Sequence, residues 1–95
     1  EDFRESPAIK FFKILMKKKI LVNFYDPYVK KLSTRYLNRS YNSIRLNASN
    51  LKKYDCVFII TDHSNVNYKL IKNSSKFIVD TRNIYKIPSS KILKL

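Results

Sequence analysis

The run CVFIIT, Cys56 to Thr61, constrains this chain more than any other stretch. It is continuous and apolar, the pattern of a strand buried on both faces of a sheet. The segment DHSNVNYKLIKNS follows, opening with capping residues and placing Val66, Leu70 and Ile71 on a plausible helix face. A second apolar run, KFIV, comes next. Strand, helix, strand in that order is a crossover unit, and crossovers join parallel strands.

The upstream half continues the alternation. ESPAIKFFKILMKKK predicts a helix, with Ser6 as N-cap and Pro7 at the first helical position, where a missing N–H costs nothing. Ile9, Phe12 and Met16 follow helical spacing, widened by Ala8, Phe11 and Leu15. Lys17 to Lys19 suit the negative end of the helix dipole, although the glycine that ends most such helices is missing. Ile20 to Tyr25 then predicts a strand ended by Asp26-Pro27. Residues 29–42 are polar, Tyr-rich and basic, a connection with room for a helical turn. Ile44 to Leu46 predicts a short strand, and NASNLKKYD a short helix capped by Ser49 or Asn50. The order α-β-loop-β-α-β-α-β predicts an α/β fold with a mostly parallel sheet. Ninety-five residues suit one small domain, 1–95.

Composition narrows the function classes. The longest uninterrupted apolar run, Cys56 to Ile60, is far short of the ~20 residues that span a bilayer. No secretory signal pattern is visible and residue 1 is Glu, so the expectation is a soluble segment of something longer. A lone cysteine excludes an internal disulfide and fits a reducing, cytoplasmic compartment. Cys56 sits at the start of a strand and reads as a small core residue, and one His with one Cys makes a metal site unexpected. The net charge of +13 points first to nucleic acid. However, 15 of the 20 cations are Lys, alongside abundant Ile and Asn and no Gly, the mark of A/T-rich codons. The cations are also scattered along the chain, which favours a solvated basic surface.

In a parallel α/β sheet ligands bind beyond the carboxyl ends of the strands. Three polar clusters leave the predicted strands there: Asp26-Pro27-Tyr28, Thr61-Asp62-His63-Ser64 and Asp80-Thr81-Arg82-Asn83. Arg4-Glu5-Ser6, before the first helix, joins the same rim in such a topology. Each cluster also has a bland reading. Asp26-Pro27 makes a turn, Asp62 and Ser64 cap a helix, His63 is structural, and Asp80 pairs with Arg82 or Arg82 with Asp26. No catalytic Ser/His/Asp or Cys/His pairing has supporting context, and with no glycine there is no Gly-rich phosphate loop, so a complete dinucleotide-binding unit is not expected in these residues.

In order and spacing, DFRESPAIK, NFYDPYV, YDCVFIITDHS and FIVDTRNIY resemble the C-terminal, UDP-sugar-binding domain of the UDP-glucose/GDP-mannose dehydrogenase family. The resemblance runs from Asp2 to about Tyr85 and is similar in detail to bacterial enzymes acting on UDP-sugars, the UDP-N-acetylhexosamine branch included. It implies a Rossmann-like, three-layer α/β/α fold. It implies an enzyme that oxidises C6 of a nucleotide-linked sugar to a carboxylate with NAD, for polysaccharide biosynthesis. NAD would be bound by an N-terminal domain, with a middle region making the dimer. Arg82 matches the arginine that contacts the UDP-sugar, and Arg4 matches one that reaches the NAD side of the cleft. Asp26, Asp62 and His63 match signature positions that support the rim. The family's catalytic cysteine and lysine are expected upstream of Glu1, and Cys56 does not match that cysteine. The family's central strand, of GxxFK type, is also expected upstream. Ile20 to Tyr25 and Cys56 to Thr61 would flank it, so the 95 residues alone are expected to be inactive and marginally stable.

The rival reading is a free-standing basic α/β module binding RNA or DNA, and a third is a structural fragment without activity. The nucleic-acid reading would need Arg35, Tyr36, Arg39 and Tyr41 on one exposed face.

Overall fold

The structure, a computed structural model, describes residues 7–32 and 41–95. It packs as two compact units, Glu1–Ile44 and Arg45–Leu95.

The first unit opens with helix α1, Pro7–Lys17, whose proline stands at the first position as expected. The expected cap, Ser6, lies outside the described residues. Phe12 is the buried residue of α1, with Ile9, Leu15 and Met16 half-buried beside it on the expected stripe. Phe24 and Tyr41 meet the Phe12 ring edge-on, at centroid distances of 6.4 and 5.1 Å, a favoured aromatic arrangement. The helix stops without glycine. Lys19 takes the left-handed conformation, φ 60°, that glycine usually supplies. Its N–H reaches Met16 O, and the Ile20 N–H reaches back to Leu15 O. That crossed pair of bonds is a Schellman motif built on a lysine.

Ile20 to Tyr25 does not form the expected strand. Phe24 O accepts from Ile44 N–H, but among the described residues the run enters no ladder. Ile44 to Leu46 is likewise irregular. The antiparallel pairing of this unit falls instead in the segment read as a connection. Strand β1, Lys31–Leu32, pairs with β2, Tyr41–Asn42, matching Lys31 with Asn42 and Leu32 with Tyr41.

The second unit is the crossover unit expected from the sequence, with one strand more. Helix α2, Ala48–Leu51, is capped by Asn47, whose side chain accepts from Asn50 N–H, and not by Ser49 or Asn50. Strand β3 covers Val57–Ile59, helix α3 covers Tyr68–Ser74 and strand β4 covers Ile78–Asp80. Strand β5, Ile92–Lys94, was not expected; it is three residues long and lies within KILKL, where lysines interrupt the apolar run. The sheet is parallel throughout in the order β3-β4-β5. Asn67 caps α3, taking the Leu70 N–H, where Asp62 or Ser64 had been the sequence candidates.

Register decides the two faces. Val57, Ile78 and Ile92 stand in one row and Ile59, Asp80 and Lys94 in the next on the same face. The apolar members of these rows join Leu51 of α2 and Ile71 of α3 in the core. Fully burying a residue such as Ile78 contributes roughly 1.5–3 kcal/mol. The opposite row is Phe58, Val79 and Leu93. Here β3 departs from the expectation of burial on both faces: Phe58 is 41% exposed, because β3 is an edge of this sheet. The architecture is α/β with a parallel sheet, as the alternation of elements requires.

Candidate functional site

The carboxyl ends of β3 and β4 lie side by side. Both the N–H and the hydroxyl of Thr81 donate to Ile59 O, at 3.2 and 2.7 Å. This pair of hydrogen bonds to one carbonyl ties the start of the Thr81-Arg82-Asn83 loop to the end of β3, just before Thr61-Asp62-His63. Two of the polar clusters expected on one rim are therefore neighbours.

Asp80 closes β4 and is fully buried. A buried carboxylate needs donors, and it has them: Oδ1 accepts from Arg82 N at 3.0 Å and Ile84 N at 3.1 Å, and Oδ2 from Tyr85 N at 3.0 Å. The chain can wrap this tightly around one side chain because Asn83 adopts φ 56°, a left-handed conformation that asparagine tolerates better than most residues. Burial resists ionisation of Asp80. The three N–H donors from Tyr85, Ile84 and Arg82, with the nearby Lys94 cation, outweigh it and hold the carboxyl below its ordinary range. The aspartate at the strand exit is thus the organiser of the loop. Its partners in that loop are the backbone N–H groups of Arg82, Ile84 and Tyr85.

The Arg82 side chain is exposed, and among the described residues none takes its guanidinium in a hydrogen bond or ion pair. Burial of Asp80 and exposure of Arg82 are two results of one turn, which points its N–H groups inward and the guanidinium-bearing residue outward.

Two tyrosines, not singled out from the sequence, fasten the loops to α3. The Tyr68 hydroxyl accepts from His63 N at 2.8 Å and donates to Thr61 O at 3.3 Å, fixing the exit of β3. The Tyr85 hydroxyl donates to Tyr68 O at 2.6 Å, fixing the exit of β4 to the same residue. Burial, with the Asp80 charge and Tyr68 adding, pushes the Tyr85 hydroxyl up to about 12. Burial also raises Tyr68; a backbone bond from His63 opposes it, Asp62 adds to it, and Arg82 lowers it. Asp62 and Arg82, from two different strand exits, thus act on one hydroxyl. Periodicity hid both tyrosines, since each works through its hydroxyl and not through a stripe position.

Beyond the loop, Lys94 of β5 donates from Nζ to Asn83 Oδ1 and to Tyr85 O. Lys86 Nζ reaches Asn83 O at 2.9 Å.

The remaining sequence candidates divide. Arg4 lies outside the described residues, as do Arg35, Tyr36 and Arg39. Asp26 belongs to the first unit, where Oδ1 accepts from Tyr28 N at 2.7 Å and Val29 N at 3.0 Å, closing the Asp-Pro turn of its bland reading. Burial pushes the Cys56 thiol up, against a backbone bond from Val79 and with Asp55 adding, so it is protonated at neutral pH and a poor nucleophile. Tyr41 packs on Phe12 and is half-buried, so one aromatic needed for the nucleic-acid reading is committed elsewhere. Among the described residues no helix is long and apolar enough to cross a membrane.

Comparison with known proteins agrees with the motif order. No solved structure matches significantly. The chain is 36% identical over 93 residues to a UDP-N-acetyl-D-mannosamine dehydrogenase of Pyrococcus horikoshii; the match covers 93% of this chain and 20% of that protein, so the chain spans about a fifth of its length. The sequence profile described as "UDP-glucose/GDP-mannose dehydrogenase family, UDP binding domain" matches residues 1–87. Nothing in these comparisons supports a nucleic-acid-binding module. With Asp80, Arg82 and Tyr85 all inside the matched span, the chain belongs to the UDP-glucose/GDP-mannose dehydrogenase family, through its UDP binding domain.

Proposed function

We propose that residues 1–95 act as one C-terminal, substrate-side domain of a cytoplasmic, homo-oligomeric nucleotide-sugar 6-dehydrogenase, and that Arg82 contacts the UDP-sugar. The observation that carries this reading is the division of labour in the turn after β4. Asp80 is consumed by backbone donors, whereas Arg82 is exposed at the carboxyl edge of a parallel sheet with its guanidinium uncommitted among the described residues. A guanidinium offers planar, paired donors suited to phosphate and hydroxyl groups. The relative from Pyrococcus horikoshii supports a UDP-N-acetylhexosamine as the substrate. The acidic sugar made would serve polysaccharide assembly.

NAD would be the oxidant, accepting hydride in the parent enzyme. The described residues do not fit a seat for its pyrophosphate. The chain has no glycine for a close backbone approach, and the Leu70 N–H in the first turn of α3 is taken by the Asn67 side chain. This chain's part is to bind and orient the other substrate, with Arg4 reaching toward the cofactor from before α1. The 95 residues alone should therefore reduce no NAD.

The test is Arg82→Ala in the full-length enzyme with UDP-N-acetyl-D-mannosamine and UDP-glucose as substrates. Losing a charge-assisted hydrogen bond should cost roughly 1.5–3 kcal/mol of substrate binding and leave the melting temperature unchanged. An unaltered KM and kcat would remove Arg82 from the binding surface. A parent that oxidises neither sugar would overturn the assignment as a whole.

A further inference from the structure

The family match ends at residue 87, yet the turn that carries Arg82 is held from beyond it. Strand β5 pairs in parallel with β4, and the register sets Lys94 opposite Asp80 on the core-side face of the sheet. From there the Lys94 ammonium donates to Asn83 Oδ1 and Tyr85 O. Asn83 directly follows Arg82 and carries the left-handed backbone on which the turn depends. The other end of the turn is fixed by Thr81 on Ile59 O and the near side by Asp80. The Tyr85 hydroxyl ties the far end of the loop to Tyr68 O of α3, and the Asn83 side is held by Lys94 of β5 together with Lys86, whose Nζ reaches Asn83 O at 2.9 Å. Leu95 N–H to Asp80 O, at 3.1 Å, continues the ladder and keeps β5 beside the turn.

We propose that Lys94 is a positioning residue for Arg82: strand β5 supplies a cation that clamps the Asn83 turn and so fixes where the guanidinium is presented to a UDP-sugar. This rests on the reading of Arg82 given above. Lys94 need not touch the ligand. It acts by restricting the turn, so that less ordering remains to be done when substrate arrives.

The test uses the full-length enzyme with UDP-N-acetyl-D-mannosamine. Lys94→Met keeps the aliphatic stem and removes the ammonium. It should raise KM for the sugar about threefold to tenfold while leaving KM for NAD unchanged, a split that general destabilisation would not produce. Lys94→Arg should recover most of the loss. In an Arg82→Ala background Lys94→Met should add nothing, because there is no guanidinium left to position. Asn83→Gly keeps the left-handed turn but removes the Oδ1 acceptor. It should raise KM in the same direction, and it decides the matter should Lys94→Met fold poorly. If Arg82→Ala raises KM while Lys94→Met and Asn83→Gly leave it unchanged, the positioning role is overturned and the Arg82 reading stands. If Arg82→Ala itself changes nothing, both fall, and the Arg82 variant alone identifies that case. Equal effects of Lys94→Met with and without Arg82 would also overturn the proposal.

Discussion

The two units meet the same problem, an apolar strand-like run after a helix or a turn, with opposite results. In the second unit CVFIIT becomes β3 because β4 lies beside it and β5 beyond, in one parallel ladder. In the first unit ILVNFY is as apolar, yet it forms no strand, although Phe24 O accepts from Ile44 N–H. Propensity is similar in the two runs; partners are not. The cores differ in kind as well. The second unit buries Leu51, Ile59, Ile71, Ile78 and Tyr85 together. The first unit gathers aromatic rings edge-on about one buried phenylalanine. A strand is a property of a pair of segments: the second unit supplies partners for its apolar run, whereas the pairing described in the first unit joins Lys31–Leu32 to Tyr41–Asn42 instead.

That contrast is open to attack at its strongest point first. Asp80→Ala would leave the buried Tyr85 N–H and the part-buried Arg82 and Ile84 N–H groups without this acceptor, and should cost about 4 kcal/mol, lost from the amide protection of β3, β4 and β5. Retained protection there would mean that the ladder alone holds the second unit. The same group predicts a pH dependence. Its folded-state value lies below the ordinary 3.8, so its contribution is complete above that pH and is lost as pH falls below it. Asp80→Asn should abolish that part of the acid limb; an unchanged acid limb would assign it to other carboxylates.

Phe12→Ala probes the other unit and should cost about 3 kcal/mol, seen as loss of helical signal and of α1 protection. A small effect would show that the ring cluster is incidental. Tyr85→Phe removes one hydroxyl, and with it the link to Tyr68 O. It should cost about 1 kcal/mol in the thermal midpoint while the ring stays in the core. The smallest change has the opposite sign. Lys19→Gly should stabilise α1 by about 0.5–1 kcal/mol, because lysine is strained at φ 60° where glycine is not. A neutral or destabilising result would show that the Lys19 side chain offsets its backbone.

Some of this was legible in the residues and some was not. The crossover α3 between two apolar runs could be read because periodicity and capping agreed over its length, although Asn67, and not Asp62 or Ser64, proved to be the cap. Strand β5 was not read. Three residues with a lysine among them carry too little pattern to distinguish a strand from a tail, and its partner is not adjacent in the chain, Ile92 pairing with Ile78 and Lys94 with Asp80. At the candidate site the sequence marked DTRN as a polar exit from a strand. It left open whether Asp80 would pair with Arg82. Both residues are charged, and nothing local says that the carboxylate turns inward to three backbone donors.

By itself, then, the sequence determined helix α1, the strand–helix–strand crossover of the second unit, the family motifs and the polar clusters at the ends of β3 and β4, because these depend on near neighbours and on burial patterns written into the chain. The tertiary structure alone decided which apolar runs became strands, since ladders need partners that local propensity cannot supply. It alone also decided the roles of Asp80, Tyr68, Tyr85 and Lys94. Those roles are fixed by hydrogen bonds between β3, α3, β4 and β5, and such bonds exist only once the parallel register has set the strand ends side by side.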